Sequence, residues 1–228
     1  MLSVVIPTLD AEATLVATLA ALVPAVAEGL VREAIVADGG SMDATRDIVD
    51  AAGCRVISAE RGRGAQLAAG AAAARWPWLL FLHADTVLEE GWRREAWSFI
   101  ERADRQGGEA AASFAFALDD FGARARWLEA AVAARCKLLG LPYGDQGVLI
   151  HRELLQAVGG IRPLPLMEDV DLIRRLGRAR LRALPTDAVT SAERWERDGY
   201  LRRSARNLVC LSLWFAGVPP RLIRRLYG

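Results

Sequence analysis

The 228 residues carry 29 basic and 28 acidic side chains, a net charge of +1, so no global attraction to nucleic acid is expected. Apolar residues make up 53% and charged ones 25%, which excludes a disordered chain and fits one domain with a substantial core. Cys54, Cys136 and Cys210 are far apart and show no metal-ligand spacing, so a reduced, cytoplasmic protein is expected.

In chain order, residues 2–6 predict a first strand that Pro7-Thr8 ends. Beginning at once on a strand leaves no room for a signal peptide, and no apolar run nears the ~20 residues that span a bilayer. Leu15, Leu19, Leu22 and Val26 at helical spacing predict one helix over 11–27, with Glu12 in its first turn. Residues 34–37 predict a second strand that ends in a carboxylate, Asp38, followed by Gly39, Gly40 and Ser41. A helix over 43–52, a strand over 55–58 and an alanine-rich helix over 64–75 follow.

Leu79, Leu80, Phe81 and Leu82 then predict a strand buried on both faces that runs into His83-Ala84-Asp85. Four strands alternating with helices imply parallel crossovers, which place Asp38 and Asp85 at one sheet edge, with Asp10 nearby. Ligands of open α/β sheets bind at that edge. Clustered carboxylates repel unless a cation or hydrogen-bonding ligand is present, so Asp85 is a candidate ligand for a hard divalent ion. Its alternative role is to cap the next helix.

The second half predicts a helix over 90–105, an alternating strand over 110–118, a helix over 124–139 and a strand over 148–150. Residues 143–147 form a glycine-flanked polar loop, residues 153–158 a short helix, and Met167-Glu168-Asp169 opens a further helix. No Gly-x-Gly-x-x-Gly follows the first strand, and no P-loop occurs, which excludes the usual dinucleotide and P-loop sites. Arg61-Gly62-Arg63-Gly64 before a helix is a place where anionic phosphate can be held, or else a solvated surface loop.

Val4-Val5-Ile6-Pro7-Thr8 with Glu12, Asp38-Gly39-Gly40-Ser41 with Asp43 and Thr45, His83-Ala84-Asp85, and Glu168-Asp169 resemble the family 2 glycosyltransferases. The loop at 143–147 and the segment 165–171 look most like a bacterial branch, the radical-SAM/selenodomain-associated glycosyltransferases. The resemblance covers roughly residues 2–200. It implies an α/β, GT-A-type nucleotide-diphospho-sugar transferase fold, with a mostly parallel central sheet flanked by helices.

By that resemblance, Asp38 recognises the nucleotide base, and Pro7, Thr8, Glu12 and Gly40 line the same donor pocket, with Arg63 near the phosphates. Asp85 corresponds to the last acidic residue of the metal motif, holding Mg²⁺ or Mn²⁺, and His83 stands where the first Asp is usual. Asp169 of the Glu168-Asp169 pair is the general base that takes the acceptor hydroxyl proton. Asp145 and Gln146, in their loop between glycines, are candidates to bind acceptor or donor sugar hydroxyls and are set on the acceptor side, as is Trp195, which resembles the remnant of a Gln-x-x-Arg-Trp motif. The implied activity is transfer of a hexose from a UDP- or GDP-sugar with inversion, to an acceptor the sequence does not identify and that includes lipid-linked molecules. Its rivals are a nucleotidyltransferase on a related sheet and a non-catalytic sugar-nucleotide-binding or membrane-adaptor protein.

Residues 1–198 are thus read as the transferase domain and 199–228 as a basic amphipathic helical tail. The tail has six arginines and no acidic residue around Leu208 to Phe215. It suits contact with the inner membrane surface, or else packing on the domain or in a homodimer.

Overall fold

The computed structural model describes residues 1–143 and 145–227. Its strands are β1 (Leu2–Thr8), β2 (Val31–Asp38), β3 (Arg55–Ser58), β4 (Trp78–Phe81), β5 (Thr86–Leu88), β6 (Ala111–Leu118), β7 (Val148–His151) and β8 (Leu181–Thr190). The helices are α1 (Glu12–Ala20), α2 (Val23–Ala27), α3 (Thr45–Ala51), α4 (Arg63–Ala73), α5 (Trp92–Arg105), α6 (Ala123–Leu139), α7 (Arg152–Ala157), α8 (Glu168–Leu176), α9 (Glu193–Asp198), α10 (Tyr200–Phe215) and α11 (Pro220–Tyr227).

One eight-stranded sheet runs in the order β3-β2-β1-β4-β7-β6-β8-β5. Strands β1 to β4 pair in parallel, β7 is antiparallel to both β4 and β6, and β8 is parallel to β6. Along β1 the side chains of Val4 and Ile6 enter one core while Val5 enters the other. Helices cover both faces, which is why β1 and β4 read as unbroken apolar runs. A third, smaller cluster joins the end of β6 to α6 and α9.

Three boundaries differ from the sequence reading. Strand β1 continues through Pro7 to Thr8, because its pairing with β4 ends at Val5↔Phe81 and the missing Pro7 N–H leaves no gap there. The expected helix over 11–27 is two helices, since Pro24 has no N–H to donate to Ala20 one turn back. Residues 86–88 form a strand, β5, rather than leading directly into a helix, and β8 was not anticipated.

Strand β5 explains the shape of the sheet. It pairs with β8, four places from β4 in the sheet order. Four strand spacings in a flat sheet are about 19 Å. The chain from Phe81 to Thr86 reaches at most about 17 Å even when extended, and residues 84 and 85 form a turn. The sheet therefore curls, and residues 82–85 bridge its two halves.

The tail is docked on the domain through one face. Cys210, Leu211 and Ile223 are buried, Tyr200 donates a hydrogen bond to Asp120, and Arg203 and Arg206 both reach Asp198. The opposite stripe of α10, Leu201, Leu208, Val209 and Phe215, is exposed. Among the described residues no helix is long and apolar enough to cross a membrane. Gly228, in the expected tail, lies outside the described residues, as does Gly144 in the expected 143–147 loop.

Candidate functional site

The ends of β1 and β2 lie side by side, with Thr8 opposite Asp38, so the expected donor residues Pro7, Thr8, Asp38 and Gly40 do come together. Gln66, reaching in from α4, donates to the carbonyls of both Thr8 and Ala37, at 2.5 and 3.0 Å. The Asp38 side chain is fully buried. It accepts from Gly40 N–H, Ser41 N–H and Oγ, and Arg46 Nε. Burial works against its charge, but the Ser41 and Arg46 hydrogen bonds outweigh that and hold the carboxyl below its usual range.

The two loops beyond these strands are laced together. Asp10 accepts from Met42 N–H, Glu12 from Ala44 N–H, and Asp43 from Glu12 N–H, each at 2.8 or 2.9 Å. Thr45 accepts from Ala11 N–H. Asp10 and Glu12 thus reach into the 41–45 loop and Asp43 reaches back, each accepting from a backbone N–H. Gly40 sits at φ +95°, a left-handed position that suits glycine, with open space where a side chain would be.

Charge gathers after β4, before β7 and at the start of α8. Ligand atoms of His83, Asp85 and Asp145 all lie within 4.8 Å of one another, each residue partly exposed. His83 Nδ1 is 2.7 Å from Asp145 Oδ1. Burial alone would raise the Asp145 carboxyl, yet the His83 hydrogen bond and the charges of His83, Arg63 and Arg194 bring it down to about 2. The sequence reading set Asp145 on the acceptor side; the structure sets it beside Asp85 and His83, as a second carboxylate of the same cluster. An imidazole and two carboxylates are a donor set suited to Mn²⁺ and, more weakly, to Mg²⁺.

Glu168 and Asp169 open α8. The residue before them, Met167, is held at φ +65°, a costly backbone state for a non-glycine residue that aims the next two side chains. Glu168 is buried, and Arg63 Nε lies 3.7 Å from its carboxylate. Burial and the Asp169 charge push the Glu168 carboxyl up, against the pull of Arg63. Asp169 is partly exposed and accepts from Val170 N–H at 2.7 Å. The loop at 162–164 packs directly on Gly64, where a Cβ would stand 2.7 Å from the Arg162 carbonyl, so α4 and the approach to α8 are in contact. Asp171 pairs with Arg162 and Arg175 and serves the fold.

Two residues expected on the acceptor side are turned inward. Gln146 is buried, donating to Phe114 O at 2.9 Å and accepting from Arg135, so it supports β6 instead of facing a cleft. Trp195 is 8% exposed, packed in the β6–α6–α9 cluster and stacked on Tyr200. Helical spacing turns Trp195 inward and its neighbour Arg194 outward, 3.7 Å from Asp85. Arg194 is the arginine of the same motif remnant, for which the sequence reading gave no site role.

Residues 3–112 match the family model described as Glycosyl transferase family 2. A glucosyl-3-phosphoglycerate synthase of Mycolicibacterium paratuberculosis (strain ATCC BAA-968 / K-10) is 38% identical over 95 residues, which are 38% of this chain. That stretch spans only 29% of the relative's own length. Among solved structures, the glucosyl-3-phosphoglycerate synthase of Mycobacterium tuberculosis with Mn²⁺, UDP and glucosyl-3-phosphoglycerate superposes with TM-score 0.63 at 24% identity, covering 96% of this chain and 81% of that one. The same enzyme with Mn²⁺ and UDP-glucose gives TM-score 0.64 at 23% identity, over 96% and 80%. The expected α/β, GT-A-type fold with its curled, mostly parallel sheet is the one found.

Proposed function

We infer, for a chain whose residues 3–112 match Glycosyl transferase family 2, that it transfers a hexose from a nucleoside-diphosphate donor, UDP-linked as in the complexes above, to an acceptor hydroxyl. The observation that carries this reading is the convergence of His83, Asp85 and Asp145, with Asp145, Glu168 and Asp169 together within the field of Arg63.

In this reading His83, Asp85 and Asp145 would hold a divalent cation. When bound, Mn²⁺ or Mg²⁺ supplies positive charge to the departing diphosphate. The chain's own groups do the rest. The laced loops at 8–12 and 38–45 shape the nucleoside pocket, with Asp38 fixing the turn at 39–41; direct contact with the base would exchange one of its present hydrogen bonds for one to the donor. Arg63 and Arg194 add fixed positive charge beside the carboxylates. Asp169 takes the acceptor proton, and Glu168, tied to Arg63, holds the start of α8 in place. A base on the face away from the leaving group gives inversion.

The branch likeness of residues 143–147 and 165–171 remains part of this proposal, as do the split at residue 198 and a cytoplasmic location. The exposed apolar stripe of α10, flanked by arginines, supports peripheral contact with an anionic membrane surface. The test of function is a panel of UDP- and GDP-sugars with Mn²⁺ or EDTA. Cation-dependent donor hydrolysis or transfer is expected. Donor binding with no turnover under any condition would instead favour the adaptor reading.

A further inference from the structure

We propose that the C-terminal helix α11 completes an anion site beside the catalytic carboxylates, and that this site seats the phosphate of a phosphomonoester acceptor. The proposal rests on the transferase reading for the word acceptor, but not for the anion.

A cavity of about 520 Å³ lies between the loop before α4, the loop at 163–165 and α11. Its size suits a sugar- or glycerol-sized molecule. Arg61, Arg221, Arg224 and Arg225 line it, against one carboxylate, Glu60. Arg63, Arg194, Arg203 and Arg206 all have carboxylate partners. Among the described residues, no ion pair engages any of the four cavity arginines. Three like charges within two turns of a helix repel one another, and a chain that keeps them facing a cavity has there a place for a multiply charged anion.

The helix is well anchored for this task. Ile223 is fully buried, and the Arg206 guanidinium lies over the Tyr227 ring at 5.2 Å. Position favours the acceptor over the donor. None of His83, Asp85 and Asp145 lines the cavity, so the donor diphosphate already has its own counter-charge elsewhere. Pro165 on the cavity wall is three residues before Glu168, and Gly62 and Ala65 on the same wall lie either side of Arg63, whose Nε is 3.7 Å from the Glu168 carboxylate. A molecule with its phosphate among these arginines would thus lie next to the start of α8. The phosphate can come from a soluble metabolite or a lipid headgroup; the chemistry is the same.

The test measures binding of inorganic phosphate by calorimetry to the full chain, to Arg224→Gln/Arg225→Gln and to Arg61→Gln, with UDP plus Mn²⁺ titrated separately. These arginines are exposed, so melting temperatures should not move. Phosphate affinity should fall at least about tenfold in each variant, the effect of losing a charge-assisted hydrogen bond, while UDP affinity stays within about twofold. Arg224→Lys/Arg225→Lys should recover part of the loss. Unchanged phosphate affinity overturns the site, and an equal loss of UDP affinity assigns the cavity to the donor. Flotation with phosphatidic acid in phosphatidylcholine vesicles, abolished by the double variant, identifies a lipid source; no flotation beside intact phosphate binding identifies a soluble one. Phosphate binding without transfer from any donor would keep the anion site and remove the transferase reading.

Discussion

The two sides of the candidate site are built from similar residues in opposite ways. At the ends of β1 and β2, Asp10, Glu12, Asp38 and Asp43 each accept hydrogen bonds from backbone N–H groups of the same two loops. On the other side, His83, Asp85, Asp145, Glu168 and Asp169 are gathered with Arg63 and Arg194, and several of their contacts are with other charges at 3.7 Å. The first side is a finished scaffold. The second gathers charge that, in the proposed reading, a ligand completes. A carboxylate in a motif can therefore serve either purpose, and only its partners show which.

The sharpest way to break this contrast is at Asp169. Asp169→Asn keeps shape and removes the proton acceptor, so kcat should fall at least about 10²-fold, with donor affinity by calorimetry and melting temperature unchanged. Near-normal turnover would move Asp169 to the scaffold side. The reverse result is expected at Asp38, where Asp38→Ala leaves the donors of Gly40, Ser41 and Arg46 without their acceptor. Stability measured by urea unfolding should drop by about 2–3 kcal/mol, and a fully stable variant would remove Asp38 from the scaffold.

Next in size is the cation set. Asp85→Asn and Asp145→Asn should each weaken UDP binding in Mn²⁺ at least about tenfold, and leave it unaltered in EDTA. Equal loss in both conditions would make these carboxylates structural.

A smaller effect is expected from pH. The folded Asp38 carboxyl is held below its usual range by Ser41 and Arg46 against the opposing effect of burial. Its contribution is therefore present above the unfolded value of about 3.9 and is lost as pH falls through the folded value. Asp38→Asn should flatten the acid limb of the stability curve below about pH 4; a limb identical to that of the unaltered chain would show that Asp38 is not linked to folding. The smallest change is at the outer stripe of α10, where Leu208→Glu should reduce sedimentation with anionic vesicles without lowering the melting temperature. Unchanged sedimentation would leave that stripe without a role in membrane contact.

Much of the first side could be read in advance. Strand ends at Asp38 and near Asp85 follow from short apolar runs bounded by glycine and proline, and such runs leave a plain signal in sequence. What the sequence hid was the partner of each group. Asp145 lies 60 residues after Asp85 and meets it only because β7 returns antiparallel beside β4. Gln146 and Trp195 looked exposed because loop and motif context says nothing about which way a side chain turns; their burial depends on β6 and α6. Strand β8 escaped notice because its burial alternates irregularly, with several exposed positions and Pro185 within it.

The four-residue link between β4 and β5 carries a mechanical consequence. It is fixed at one end to the parallel half of the sheet and at the other to the β8 edge, and it contains both His83 and Asp85. Asp145 hangs from β7, between those anchor points. Any flexing of the curl stretches or slackens the link and so alters the spacing of these three side chains. On the proposed cation reading the sheet would work as a caliper: an ion that demands a particular spacing would stiffen the whole curl, and a partner that bends the sheet would loosen the grip on the ion.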